Sequence, residues 1–294
     1  MGPTTNRRKQ PREKYQSHLL SLALDLCDEA IAPIQGPHKD PEPVHRSRVA
    51  IKKLRALLRL LRPALAPKKL ILLRSNLRKA ASTLAPCREV DSLLESVTLL
   101  VRKGALSQKE SRPLRRAISA LADKQPPPEG PTLSKVRSWL RCVRKTLLER
   151  PTQLLRQSHI ERELKRTYLR AHRLFCAYQS VSPSDAAETL HAWRKLTKRL
   201  AYQMRLTAPL RNSLGKRFIR GAEKIGELTG QGRDLTLLAE TLDTPPFREH
   251  NILAIRAIRK TIPKIRKKAI NAGKGIFVRS KKRLFQITGR DDSR

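Results

Sequence analysis

Two stretches of this chain spell one basic amphipathic helix twice, which constrains the fold more than any other feature. The first is Val44-His45-Arg46-Ser47-Arg48-Val49-Ala50-Ile51-Lys52-Lys53-Leu54 and the second is Leu190-His191-Ala192-Trp193-Arg194-Lys195-Leu196-Thr197-Lys198-Arg199-Leu200. The two histidines stand 146 residues apart. Each is followed by Arg at +3, Lys at +7, a second cation at +8 (Lys53, Arg199), Leu at +9 and Arg at +14 (Arg59, Arg205). At about 100° per residue, positions 0, +3, +7 and +14 of a helix lie within about 60° of one another, and the Leu points the other way. Each copy therefore reads as a core helix with an apolar back and a cationic front.

The duplication runs further. Leu84 to Glu95 matches Leu228 to Glu240 with one residue of slippage, both giving Arg-acid-apolar (Arg88-Glu89, Arg233-Asp234) after an expected helix break. A near-constant offset over this length means a duplicated multi-helix unit, not a short-period solenoid. Two similar helical bundles related by a pseudo-twofold are the architecture expected of it. Apolar periodicity predicts helices nearly throughout: about 19–33, 42–63, 68–85, 89–102, 110–123, 133–149, 153–180, 184–207, 211–229, 233–243 and 247–271. No alternating strand pattern is found. Lys124 to Pro131 is rich in proline and reads as a linker or long turn. The boundaries expected are a basic disordered N-terminus (1–11), a helical domain (12–272, with halves at about 12–123 and 153–272 and a linker at about 124–132), and a loose basic tail (273–294).

Charge narrows the partners. The net charge is +39, beyond what solubility needs, and such a chain repels itself unless a polyanion screens it. No Asp or Glu stands between Glu42 and Glu89, nor between Glu188 and Glu223. Ordinary surface helices interleave signs to gain i,i+4 pairs, and these two stretches forgo that. In the helices that follow, Arg74 and Arg78 share one face, as do Arg217, Arg220 and Lys224, so each half offers a two-helix basic surface. Arg forks and Lys point charges suit phosphate oxygens. From His45 to Arg62 the ladder is about 25 Å long, enough for many phosphates. His45 and His191 read as binding groups, because no neighbouring carboxylate would orient either as a base.

These residues resemble the CHAD domain, a family named for conserved histidines in an α-helical domain. The resemblance rests on His45-x2-Arg48-x3-Lys52-Lys53-Leu54-Arg55, on His191-x2-Arg194-x3-Lys198-Arg199-Leu200, and on the two Arg-acid pairs, and it covers about residues 12–272. It implies two four-helix bundles around a basic central cavity that binds inorganic polyphosphate, and association with polyphosphate granules. Ala201 departs from it, standing where the pattern has the Arg matching Arg55, and so does Glu89, standing where it has Asp. The residues expected to bind are His45, Arg48, Lys52, Lys53, Arg55, Arg59, Arg74, Arg78, His191, Arg194, Lys198, Arg199, Arg205, Arg217, Arg220 and Lys224. Arg88 and Arg233 are balanced between ligand contact and structural ion pairing.

Other readings are weaker. Glu161-Arg162-Glu163-Leu164-Lys165 spells the ExExK of triphosphate tunnel enzymes, where those residues alternate on a strand. Here they fall in a helical pattern, and the basic regions offer no carboxylates for Mg²⁺, so no catalysis, metal or cofactor is expected. His172 and Cys176 share a helix face and read as packed rather than metal-binding. The four cysteines, without a CxxC, read as reduced core residues. No segment reads as a signal peptide or a membrane span, which predicts a cytoplasmic protein. A nucleic-acid binder is the alternative function, but Trp139 and Trp193 sit on apolar faces and supply no base platform.

Overall fold

A computed structural model describes residues 11–36, 42–85, 89–122, 130–149, 153–181, 186–210, 215–244 and 251–278. Every regular element among them is helical: α1 (Pro11–Ile31), α2 (Glu42–Leu60), α3 (Pro67–Thr83), α4 (Glu89–Arg102), α5 (Gln108–Ala122), α6 (Gly130–Leu148), α7 (Gln157–Ser180), α8 (Ala186–Thr207), α9 (Gly215–Leu242) and α10 (Ile252–Gly273). Of the linker expected at about 124–132, residues 124–129 lie outside the described residues, as does the turn at Ser182–Asp185, whereas Gly130 to Thr132 open α6, Pro131 standing in its first turn.

The chain forms two compact units, and each draws on both sequence halves. The first holds residues 1–84, 130–166 and 202–215, and the second holds 85–129, 167–201 and 216–294. Helices α7 and α8 each contribute one end to each unit.

In the first unit α1 packs on α2, α2 on α3, α3 on α6 and α6 back on α1, closing a four-helix bundle. Leu19, Ala23, Leu26 and Cys27 of α1 are buried, as are Ile51, Leu54, Leu57 and Leu58 of α2, Leu73 and Leu77 of α3, and Val136, Leu140 and Val143 of α6. Each large side chain so buried contributes about 1.5–3 kcal/mol. Two arginines pin α6 to α1 and the turn that follows it: Arg144 Nε donates to Asp28 at 2.8 Å, and Arg137 donates to the Ile34 carbonyl at 2.7 Å, satisfying a group that a helix end leaves open. Pro67 starts α3, where its missing N–H costs nothing.

In the second unit α4 and α5 form a hairpin. Gly104 takes φ +64°, its N–H donates to Val101 and that of Ala105 to Leu100, which closes α4 as a Schellman motif. Ser107 then opens α5 with a reciprocal capping box: Glu110 N–H donates to Ser107 Oγ at 3.2 Å and Ser107 N–H to Glu110 Oε2 at 2.7 Å. Those bonds hold the Glu110 carboxyl below its usual range. The core is aromatic. Phe175 stands 5.5 Å from Trp193 and 5.3 Å from Phe277, and Tyr168 OH donates to the Phe277 carbonyl at 3.2 Å. Arg266 stacks on Tyr178 at 4.9 Å and donates to the Tyr178 and Val181 carbonyls, closing the end of α7.

Three expectations need correction. Two helices expected at 211–229 and 233–243 are one 28-residue helix, α9, running straight through Gly226, Gly230 and Gly232. The second Arg-acid pair therefore sits mid-helix, not after a break. The loose tail does not begin at Gly273: residues 274–278 form a π-helical turn with Ile276 and Phe277 buried. The cysteines are not uniformly core. Cys27 is buried, Cys142 half-buried and Cys176 exposed, and Cys87 lies outside the described residues.

Candidate functional site

The two basic helices bury the same register. Ser47 and Trp193, Ala50 and Leu196, Ile51 and Thr197, Leu54 and Leu200, Leu57 and Gln203, and Leu58 and Met204 are all buried, each pair 146 residues apart. Against that common back, His45, Arg48, Lys52 and Arg59 are half-buried on α2, and His191, Arg194, Lys198 and Arg199 are half-buried on α8.

In the first unit the α2 stripe meets α3. Arg55, Arg74 and Arg78 are exposed as whole residues, but desolvation of the Arg55 guanidinium by the atoms packed around it, then the Arg78 charge, lowers the Arg55 pKa. The Arg78 charge is thus felt at Arg55, and neutralisation by an anion would relieve it. Arg48 and Lys53 have protein partners. Arg48 donates to the Leu84 carbonyl at 2.7 Å, capping the end of α3, and Lys53 pairs with Glu29 at 3.2 Å.

In the second unit the α8 stripe lies on α9. A Cβ on Gly226 would stand 2.9 Å from Lys198 Cγ, and one on Gly230 would stand 3.0 Å from an Arg194 guanidinium nitrogen. The two glycines, four residues apart on one face of α9, leave the space that these cations fill. Burial, then Arg233, Lys195 and Arg194, hold His191 below the usual imidazole range. Its Nδ1 is buried without a hydrogen-bond partner among the described residues. Arg233 of the Arg-acid pair therefore joins His191, Arg194 and Lys198. In both copies the +3 arginine reaches the segment just ahead of the Arg-acid pair: Arg48 at Leu84 and Arg194 at Gly230.

The other expected residues are placed on several elements. Arg205 is exposed and belongs to the first unit, beyond the point where α8 passes between units. Nearby, Gln203 donates to the Ala56 carbonyl at 3.3 Å. Ala201 is 3% exposed, so the position that matches exposed Arg55 is core in the second copy and has no room for a cation. Arg217, Arg220 and Lys224 are exposed on α9, with Lys224 paired to Glu227 at 3.0 Å. Arg88 lies outside the described residues. Glu161, Glu163 and Lys165 lie on α7, so the ExExK letters have no strand to alternate on. Cys176 Sγ lies 3.7 Å from His172 Nε2, and His172 stacks on Tyr168. No described group of three or more His, Cys, Asp and Glu could hold a metal.

The glycine seats were missed in the sequence, although Gly226-x3-Gly230 within an unbroken apolar pattern was their signal. The helix at 247–271 was expected and is α10, but its lack of acidic residues was not remarked.

An all-helical scaffold carrying a basic helix face twice is the class of protein these features define. The family model for the CHAD domain matches residues 24–243, and the chain belongs to that family. No curated protein matches it. Among solved structures it is similar to PptA from Streptomyces chartreusis, with 15% identity, a TM-score of 0.60, and 92% of this chain and 98% of that one covered. It is also similar to the CHAD domain from the plant Ricinus communis, with 18% identity, a TM-score of 0.45, and 94% and 92% covered. The first likeness supports the fold. No described helix is long and apolar enough to cross a membrane.

Proposed function

We propose that this chain binds inorganic polyphosphate on its duplicated His/Arg/Lys helix faces. Polyphosphate binding is the property known for the CHAD family. The observation that supports the reading for this chain is the duplicated cationic face, with His45, Arg48, Lys52 and Arg59 on α2 and His191, Arg194, Lys198 and Arg199 on α8 over one shared buried register; the charges of Arg78 on α3 and Arg233 on α9 act on Arg55 and His191. Like charges held together favour a bound polyanion that neutralises several at once, and phosphate supplies the oxygens that Arg forks and imidazole N–H groups match. The contacts in the first unit come from Arg55, Arg59, Arg74 and Arg78 with His45 and Lys52. Those in the second come from His191, Arg194, Lys198, Arg199 and Arg233. Arg48 acts chiefly as a structural cap.

The binding is non-catalytic, in the cytoplasm and at polyphosphate granules. Incubation with polyphosphate and Mg²⁺ releases no orthophosphate above a blank on this reading, and a fluorescent fusion collects at granules. The deciding test is charge reversal. Arg55→Glu with Arg59→Glu lowers polyphosphate affinity at least tenfold with helicity intact. The matched reversal of exposed Lys109 and Lys135 costs less than threefold. Equal losses from both pairs would mean diffuse charge and sink the proposal.

A further inference from the structure

Beyond the stretch that matches the CHAD family, the chain carries a third acid-free run, from His250 to Arg290. Its described part folds as α10. One face of α10 is buried through Ala254, Ile258, Thr261, Ile265 and Ala269. Its outer face carries Arg256, Lys260, Lys264 and Lys267, all exposed. At i, i+4, i+8 and i+11 these four lie within about 80° of one another and span about 16 Å, one cation every 4.5–6 Å or so. Of the helix's three other cations, Lys268 is also exposed, about 40° beyond the ridge's edge. Arg266 turns inward to the end of α7, and Arg259 stands 3.7 Å from Asp243.

We infer that this ridge is a separate, sequence-independent surface for the phosphate backbone of duplex nucleic acid. All four cations of the ridge are exposed on a single helix face among the described residues. A flexible polyphosphate would lose its chain freedom to lie along it, with cations on one side only. A duplex is already rigid, presents phosphates in a fixed row, and gains through counterion release at every phosphate neutralised. The outer face of α10 has no aromatic side chain to stack on bases, and Lys outnumbers Arg along it, so the ridge positions the duplex without reading it. This surface does not depend on the α2 and α8 stripes.

The test is a double dissociation with the full chain, a mixed-sequence 30-base-pair DNA and long-chain polyphosphate. Arg256→Glu, Lys260→Glu and Lys264→Glu together lower duplex affinity at least tenfold. They also reduce the steepness of its log–log salt dependence by about 2.7, at about 0.9 for each phosphate no longer neutralised. Polyphosphate affinity stays within threefold. AT-rich and GC-rich duplexes bind alike. Should the triple variant lose helicity, Lys260→Gln with Lys264→Gln reports instead, with a slope reduced by about 1.8. Duplex binding unchanged in either variant overturns the inference, and so does a parallel loss of both ligands. Arg55→Glu with Arg59→Glu keeps duplex affinity within threefold. A failure of that pair to lower polyphosphate binding counts against the stripes and leaves the ridge standing.

Discussion

Lys198 Cγ lies 2.9 Å from where a β-carbon on Gly226 would stand, so the stem of a stripe lysine occupies the space that the glycine leaves open. The neighbour is near the root of the side chain, not its mobile end, so a methyl group there must move the lysine or part α8 from α9.

Gly226→Ala tests this directly. In a helix interior the change ordinarily stabilises by about 0.5–1 kcal/mol. Here that gain is absent or reversed in thermal unfolding, and polyphosphate affinity falls severalfold as Lys198 is displaced. A more stable variant with unchanged binding would show that Lys198 has free room.

Arg48 ties α2 to the end of α3 through the Leu84 carbonyl. Arg48→Ala leaves that acceptor open and costs about 1–3 kcal/mol, read as a lower denaturant midpoint at unchanged slope. Arg74→Ala, on exposed α3 surface, leaves the stability within about 0.5 kcal/mol of the parent. The two variants separate the arginine that ties α2 to α3 from the one proposed to contact polyphosphate.

Acid has two opposite effects through His191. The folded protein holds this imidazole below its usual range, while the unfolded chain titrates near 6.5. The unfolded state therefore binds more protons just below pH 6.5. The stability that depends on neutral His191 is present above that value and is lost as pH falls through 6.5 toward the lower folded pKa. Bound phosphate favours the charged form, so polyphosphate binding takes up a proton and tightens on acidification. Calorimetry in buffers of different ionisation heat should show proton uptake near pH 6 that shrinks in His191→Gln. Equal uptake in both proteins would remove His191 from the site.

A β-carbon on Gly273 would meet the Phe175 ring, and one on Gly221 would stand 2.9 Å from Ile276 Cδ1. Gly273→Ala should cost about 1–3 kcal/mol by overpacking, and Phe277→Ala about 3–5 kcal/mol by emptying the aromatic core. Both should lower the melting temperature and weaken the near-ultraviolet circular dichroism of Trp193. A Phe277→Ala protein that melts like the parent would show that the turn is dispensable.

Most of the helical order could be read from sequence, because Leu and Ala recur at helical spacing and prolines stand at the junctions. The α4 limits, Glu89 and Arg102, fall where periodicity puts them. The split of α9 failed for a physical reason. Glycine's cost in a helix is a local quantity, whereas what offsets it at Gly226 and Gly230 is packing against side chains about 30 residues earlier. The bond from Arg48 to the Leu84 carbonyl was not legible, because a helix wheel shows which face a residue shares, not the carbonyl at the end of another helix. Ile276 and Phe277 were hidden because two apolar residues in a basic stretch are too few to set a period. The cationic stripes themselves were visible because they occur twice in one register.

The π-helical turn also sets an order of assembly. Synthesis delivers Ile276 and Phe277 after every other described buried side chain. Until they arrive, Phe175 and Trp193 lack the Phe277 ring to close against, and the unit that positions His191 stays open beside a growing excess of positive charge. The first unit's α2 stripe emerges far earlier, with most of its bundle. A nascent chain thus carries one half of its duplicated basic surface before the residues that complete the core beside the other half have been made.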